Sequence, residues 1–199
     1  MKEEARTLFI YKMSIGYVTN IFDISIILDM SDLYVSWSEY HRKIEDLAIK
    51  IDESQWKFDR IVCLARGGLR VGDTLSRIFD KPLAILAASS YSGAEGKVRG
   101  AIEFARDLTM VGDNLGSHIL LVDDLVDSGI SLNQGIVWLK HRYGEDIQEI
   151  RTAVLWYKAC SVAVPDYYVD YLADNPWIHQ PFEIYEKMSV ADFAAKVKN

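Results

Sequence analysis

Asp123, Asp124 and Asp127 stand within one short segment, directly after the apolar run Ile119-Leu120-Leu121-Val122 and directly before Ser128-Gly129-Ile130-Ser131. Ionised carboxylates only accept hydrogen bonds, which suits them to the two hydroxyls of a sugar diol and to a hard cation such as Mg²⁺. The turn that follows has the opposite preference. Hydroxyl donors on Ser128 and Ser131, and backbone N–H groups that Gly129 allows a ligand to approach, favour a phosphate. Acids beside an anion cradle repel the anion unless the ligand brings a diol, a divalent cation or both. A sugar phosphate with bound magnesium meets that demand. Arg66-Gly67-Gly68 is a second candidate: a fixed planar cation and two glycines suit a pyrophosphate, although a plain helix-starting turn carries the same residues. Lys158 closes a third apolar run.

Such residues must be held at one edge of a scaffold, and the hydrophobic pattern supplies it. The runs Ile61 to Ala65, Leu83 to Ala88, Ile119 to Val122 and Ile150 to Tyr157 lack polar alternation, the mark of strands covered on both faces in a parallel sheet. Between them lie helical periodicities. Tyr40, Ile44, Leu47, Ala48 and Ile51 share a face after a cap at Ser38; Leu69 to Phe79 is a second helix, and Leu132, Ile136, Val137 and Leu139 face inward from a third. Leu33 to Trp37 reads as a short strand before the first helix, and Ser189 opens a short terminal one. In open α/β sheets ligands sit beyond the carboxyl ends of the strands, where Arg66, the three acids and Lys158 fall. No G-x-G-x-x-G follows a strand, which argues against a dinucleotide fold.

The remaining segments differ in character. Ser89 to Gly100 is polar and glycine-rich, long enough for a lid, with Lys97 and Arg99 able to bring charge to a phosphate; a β-ribbon tip with Ile102 to Leu108 as its return strand is the other reading. Val164 to Tyr171 and Trp177 to Glu183 are aromatic and proline-punctuated, and read as a small separate lobe whose rings are either packing or a face for a planar base.

With 199 residues, half of them hydrophobic, the chain supports one well-buried α/β unit with an appendage. A formal charge of −7 without a sustained Lys/Arg cluster argues against nucleic acid as a partner. Cys63 and Cys160 lack ligand spacing and are expected as buried thiols, which suits a reducing cytoplasm; the four histidines are scattered and read as packing or surface residues. Leu8 to Leu28 is apolar on average but carries Lys12, Asn20 and Asp23, a poor membrane span, and no signal-peptide cleavage site follows it. Residues 1–29 are therefore expected as an upstream extension or start-site artefact, or else as a genuine N-terminal element, ahead of a domain over 30–199 whose lobe lies mainly at 159–187.

The segment ILLVDDLVDSGIS closely resembles the phosphoribosyl-pyrophosphate (PRPP) motif of type I phosphoribosyltransferases. YVSW, ARGGLRVG, SSY, Lys158 at a strand end, PDYYVDY and WIHQPFE extend the likeness from Leu33 to about Glu186, and it is closest to the bacterial xanthine-guanine phosphoribosyltransferases. The resemblance implies an α/β fold with a mainly parallel central sheet flanked by helices and a small hood lobe. It implies transfer of the phosphoribosyl group from PRPP to N9 of a 6-oxopurine, with Mg²⁺ as cofactor and a homodimer or homotetramer as the assembly.

Carried over by residue, it implies that Asp123 and Asp124 hold the ribose hydroxyls, that Asp127 is the catalytic acid–base facing purine N7, and that Ser128, Gly129, Ile130 and Ser131 cradle the 5′-phosphate. Arg66 and Gly67 would meet the pyrophosphate, through a cis peptide at Ala65-Arg66. Lys158 would donate to the 6-oxo group, Trp177 would stack on the base, and the carbonyl of Ile178 would read its 2-position. Ser90 and Tyr91 would belong to the lid, and Asp124 and Glu183 would ligate magnesium. The chain departs from the family pattern where Glu183 replaces an aspartate, Ala159 replaces a proline, and the loop after Tyr91 differs in length. Two alternatives share these motifs: a non-catalytic PRPP or nucleotide sensor, and an enzyme acting on a pyrimidine. Intact Lys158, Trp177 and the acids favour the enzyme, and WIHQPFE favours a purine.

Overall fold

The computed structural model describes residues 32–90 and 102–197; residues 1–29, Tyr91 and the rest of the expected lid lie outside them. The elements in chain order are β1 (Asp32–Tyr34), α1 (Trp37–Glu53), β2 (Arg60–Ala65), α2 (Leu69–Ile78), β3 (Leu83–Ser90), β4 (Ile102–Phe104), β5 (Thr109–Met110), β6 (His118–Val122), β7 (Leu125–Val126), α3 (Ile130–Tyr143), β8 (Glu149–Lys158), β9 (Tyr167–Leu172), β10 (Trp177–His179), α4 (Ile184–Lys187) and α5 (Val190–Val197).

The apolar runs form the expected parallel sheet. β3, β2, β6 and β8 are neighbours in that order, all parallel, with Cys63 level with both Ile85 and Val122, and Val122 level with Ala153. Their residues alternate between two cores. Ile61, Cys63, Leu120, Val122, Ala153 and Leu155 meet the buried faces of α1 and α2, while Val62, Leu64, Ile119, Leu121 and Val154 meet Leu132 and Leu139 of α3. Burial on both faces is why these strands carry no polar alternation. β4 and β5 pair antiparallel with β3, so the Ile102 segment is a return strand, cut to three residues.

Four local expectations are corrected. The first helix is capped by Ser36, not Ser38: Ser36 and Glu39 form a reciprocal capping box, which starts the helix at Trp37 and shortens β1. Val137 is exposed, because the inward stripe of α3 runs through Leu132, Gly135, Ile136 and Leu139. Tyr167–Leu172, expected in the small lobe, is an edge strand of the large sheet, parallel to β8 from Ala153 to Lys158. Asp166 fixes its start by accepting from the Thr152 N–H and hydroxyl, at 2.7 and 2.8 Å, and Lys50 of α1 covers its carbonyls at Tyr168 and Val169. Cys63 is buried, its thiol pushed up to about 12 by desolvation, but Cys160 is exposed because its turn projects beyond the sheet.

The smaller lobe is the parallel pair β1–β10, with Leu33 opposite Ile178. His179 closes it, its ring stacked on Tyr34 at 4.3 Å, with Nε2 3.1 Å from Asp32 and Nδ1 3.4 Å from Glu183. Arg70 joins the lobe to α2 by lying 4.2 Å over the Phe182 ring.

Candidate active site

β2 is followed in the sheet by β3 on one side, while β6 is followed by β8 on the other, so the strand order reverses between β2 and β6. At such a switch point the two strand-end loops diverge to opposite faces and leave a crevice. Arg66-Gly67-Gly68 and Asp123-Asp124 are the two loops here.

They touch. A Cβ at Gly67 would sit 2.4 Å from Asp124 Oδ1 and 2.9 Å from Asp123 Oδ1, so only glycine lets the chain pass over the acids. Asp123 and Asp124 are not loop residues in the ordinary sense. The register of Val122 with Ala153 continues as Leu125 with Trp156, so the pair interrupts one continuous ladder, with the Asp123 N–H donating to Ala153 and the Leu155 N–H to the Asp124 carbonyl. That pins both carboxylates at the sheet edge. Asp124 is 9 % exposed. Desolvation pushes both acids above the usual carboxylate range, and the neighbouring charge of Asp124 pushes Asp123 further; the Gln180 amide opposes the shift at Asp124, and the Asp124 and Gly68 backbone N–H groups oppose it at Asp123. Among the described residues no Lys, Arg or His is ion-paired with either acid. A Gly67→Ala substitution should therefore displace Asp124 and cost about 1–3 kcal/mol of stability, read as a lower melting temperature; an unchanged melting curve would show that the loop yields freely.

Next along the chain, Gly129 adopts φ +79° and turns into α3, whose first turn carries no acid. A side chain there would meet Ser161 and Ala163 within 2.7 Å as well as a strained backbone. Asp123, Asp124, Asp127, Ser128, Gly129, Ser131 and Gln180 line a cavity of about 290 Å³ over this helix start; the Ile130 N–H faces the Ser128 hydroxyl at 3.4 Å. A second cavity, about 510 Å³, is bounded by Arg66, Gly67, Arg70, Asp124, Gln180 and Glu183. Arg66 is exposed and follows a cis Ala65–Arg66 bond; it reaches Glu186 at 3.5 Å.

At the far end, Lys158 is 5 % exposed, with Nζ 3.3 Å from Asp127 Oδ1 and 5.9 Å from the centroid of the Trp177 ring. Trp177 is 48 % exposed and Ile178 is buried. Ser90 is the last residue of β3.

The expected residues thus fall in three zones: a cation-and-glycine zone at Arg66 and Gly67, an acid-and-phosphate zone from Asp123 to Ser131, and a zone with Lys158, Asp127 and an exposed ring. Glu183 faces the first zone through the larger cavity, its Oε2 near His179 and Lys187. Sequence reasoning missed Gln180, which lines both cavities, Arg70, which lines the larger one, and Cys160, whose sulfur lies 3.6 Å from Asp127 Oδ1. Only Arg70 left a signal, as a second cation one helical turn after Arg66.

Two adjacent carboxylates, Asp124 buried and Asp123 half-buried, with no cation against them among the described residues and under a glycine that leaves Asp124 Oδ1 room, fit a hard divalent ion. Among the described residues no group of three or more His, Cys, Asp or Glu side chains is placed to hold a metal.

The sequence matches the phosphoribosyl transferase domain family over residues 36–187. It is 30% identical over 156 residues to the xanthine-guanine phosphoribosyltransferase of Idiomarina loihiensis, covering 77% of this chain and 88% of that protein. Among solved structures it is similar to a purine phosphoribosyltransferase from Pyrococcus horikoshii, with a TM-score of 0.62 and 31% identity over 76% of this chain and 93% of that one. The xanthine-guanine-hypoxanthine phosphoribosyltransferase of Helicobacter pylori superposes with a TM-score of 0.64 at 25% identity, over 78% of this chain and 96% of that one.

Proposed function

Because the chain belongs to the phosphoribosyl transferase domain family, we propose that it is the purine phosphoribosyltransferase its relatives are named for, moving the 5-phosphoribosyl group of PRPP to N9 of guanine, xanthine or hypoxanthine in purine salvage. The observation that carries this reading is that Lys158 and Trp177 gather at Asp127 while Arg66 and Gly67 bound a cavity with Asp124, so that the groups expected to meet the base and the leaving group are distinct and both adjoin the acid segment. A sensor would need no such separation, and the relatives named above are enzymes.

In this reading Asp123 and Asp124 accept from the ribose hydroxyls, while Ser128 to Ser131 and the start of α3 hold the 5′-phosphate. Arg66 and the backbone at Gly67 bind the pyrophosphate. Asp124 and Glu183 would hold Mg²⁺ together with oxygens of PRPP, and the ion when bound would offset charge on the leaving group. The bond from C1 to the pyrophosphate oxygen breaks as N9 bonds to C1, through a cation-like sugar. Lys158 donates to the 6-oxo group, Trp177 stacks on the ring, and the Ile178 carbonyl faces the 2-position. Asp127 accepts the proton the purine loses. Ser90 ends β3, and Tyr91, which the family resemblance puts with it in a lid that would keep water out, lies outside the described residues. Two free thiols fit a reducing cytoplasm, and the family likeness a homodimer or homotetramer; no helix among the described residues is long and apolar enough to cross a membrane.

The test is pyrophosphate release from PRPP and Mg²⁺ with guanine, xanthine, hypoxanthine, adenine and uracil supplied separately. Release with 6-oxopurines alone supports the reading; silence with all five, in protein that binds PRPP, would transfer it to the sensor. Asp127→Asn should lower kcat about 10²-fold with PRPP affinity kept, since a general base contributes on that scale. Unchanged turnover would remove Asp127 from the chemistry.

A further inference from the structure

Gln180 follows β10 directly, yet its side chain reaches out of the hood to the sheet edge. Its Nε2 donates to Asp124 Oδ2 at 2.5 Å, and its backbone carbonyl accepts from the Glu183 N–H at 3.0 Å. The amide orientation is fixed by chemistry, because the carboxylate only accepts and the reverse placement would set oxygen against oxygen. Oε1 is then buried with no hydrogen-bond partner among the described residues. Buried amide oxygens are nearly always satisfied, so an orphan at the boundary of two ligand-sized cavities marks a missing donor.

A lysine or arginine at 180 would satisfy Asp124 more strongly, but it would neutralise the charge that a cation or a diol needs. A glutamine holds the carboxylate by a neutral donor and leaves it ionisable. It also ties two places together, since the residue that orients Asp124 sits three positions from Trp177 and begins the turn that carries Glu183.

We propose that Gln180 is a positioning residue for the sugar-pyrophosphate substrate: its amide N–H fixes Asp124 toward the ribose site, and its unpartnered Oε1 accepts from a hydroxyl-bearing ligand, either a ribose hydroxyl or a water on the metal. This rests on the PRPP reading above and adds the residue that couples the hood to the acid pair. Removing a donor from a buried acceptor while losing one ligand contact is worth about tenfold or more in affinity.

The experiment is calorimetric titration of PRPP, with and without Mg²⁺, into the wild type, Gln180→Met and Gln180→Glu, beside steady-state kinetics and thermal melting. Met keeps the length and apolar packing, so Gln180→Met should melt near the wild type while binding PRPP about tenfold more weakly, with KM for PRPP raised and KM for the base within about twofold. Gln180→Glu keeps an acceptor but loses the donor and adds a third acid, and should bind more weakly still. A loss seen equally without Mg²⁺ assigns Oε1 to a ribose hydroxyl; a loss seen only with Mg²⁺ assigns it to metal-bound water. Should Gln180→Met fail to fold, wild-type affinity in Gln180→Glu overturns the proposal by itself. A lower melting temperature with unchanged PRPP affinity in either variant overturns it too, leaving Gln180 a packing residue. No PRPP heat in the wild type would instead remove the proposed function.

Discussion

Asp124→Asn will remove nearly all transferase activity and at the same time make the free protein more stable. Asn keeps the size of the side chain and an oxygen to accept from the Gln180 amide, so the fold has no packing reason to suffer. What changes is charge. Asp124 is buried against Asp123; desolvation raises the proton affinity of both, and the charge of Asp124 raises that of Asp123 further. A carboxyl whose folded pKa lies above its unfolded value favours the folded state while protonated and opposes it once ionised. The opposition therefore begins above the ordinary value of 3.8 and grows until pH passes the raised one. Removing one of the two charges should stabilise the ligand-free protein near pH 7 by about 1–2 kcal/mol, or roughly 3–6 °C in melting temperature. The gain should shrink as pH falls toward the ordinary 3.8, where more of the native pair is protonated. The same change takes away a partner for the ribose hydroxyls and a proposed ligand of magnesium, and should cut kcat/KM about 10³-fold. Melting curves of both proteins at the two pH values check the first half. A variant that melts lower than the wild type at neutral pH would mean that the acid pair is stabilised in the free protein by a partner beyond the described residues.

That same pair shows how far the sequence carried. An unbroken apolar run, two acids, and a Ser/Gly turn were enough to place a covered parallel strand, a site at its carboxyl end and a helix start, because each is a local consequence of side-chain polarity and backbone freedom. The interlocking of Gly67 with Asp124 was not legible, since it depends on which strand neighbours which, and the residues are far apart in the chain. β9 went to the wrong lobe for a similar reason. Its tyrosines look unlike the core strands because it is an edge strand in which only Tyr167 is buried, and the pairing that recruits it runs through Asp166 and Lys50. The cap at Ser36 is legible locally, since Glu39 stands three residues on where Ser38 has His41 at that spacing. Gln180 left no local trace. A neutral amide between His179 and Pro181 says nothing until Asp124 is brought against it.

Lys158→Met will convert a selective base pocket into an indifferent one without unfolding the protein. Lys158 ends β8 with its ammonium inside the fold, one carboxylate oxygen of Asp127 at 3.3 Å, and the Trp177 ring beyond. An ammonium has three donors, and that single contact leaves donors free for the 6-oxo group of a stacked base. Adenine would place an amino group there, donor against donor, which a site built to donate rejects strongly. Methionine matches the length and volume of the aliphatic stem, and a buried ion replaced by an apolar side chain of similar size is often neutral or stabilising. The partner left behind is not stranded, because Asp127 is half exposed and water takes the contact. The expected result is a melting temperature equal to or above that of the wild type, KM for PRPP unchanged, and kcat/KM for guanine or hypoxanthine lowered about 10²-fold. Adenine should lose far less, so the ratio between the two base classes is the decisive quantity. If guanine and adenine fall together, Lys158 acts through the charge of Asp127 and not on the base; the Asp127→Asn, Lys158→Met double variant would then show the two effects to be one.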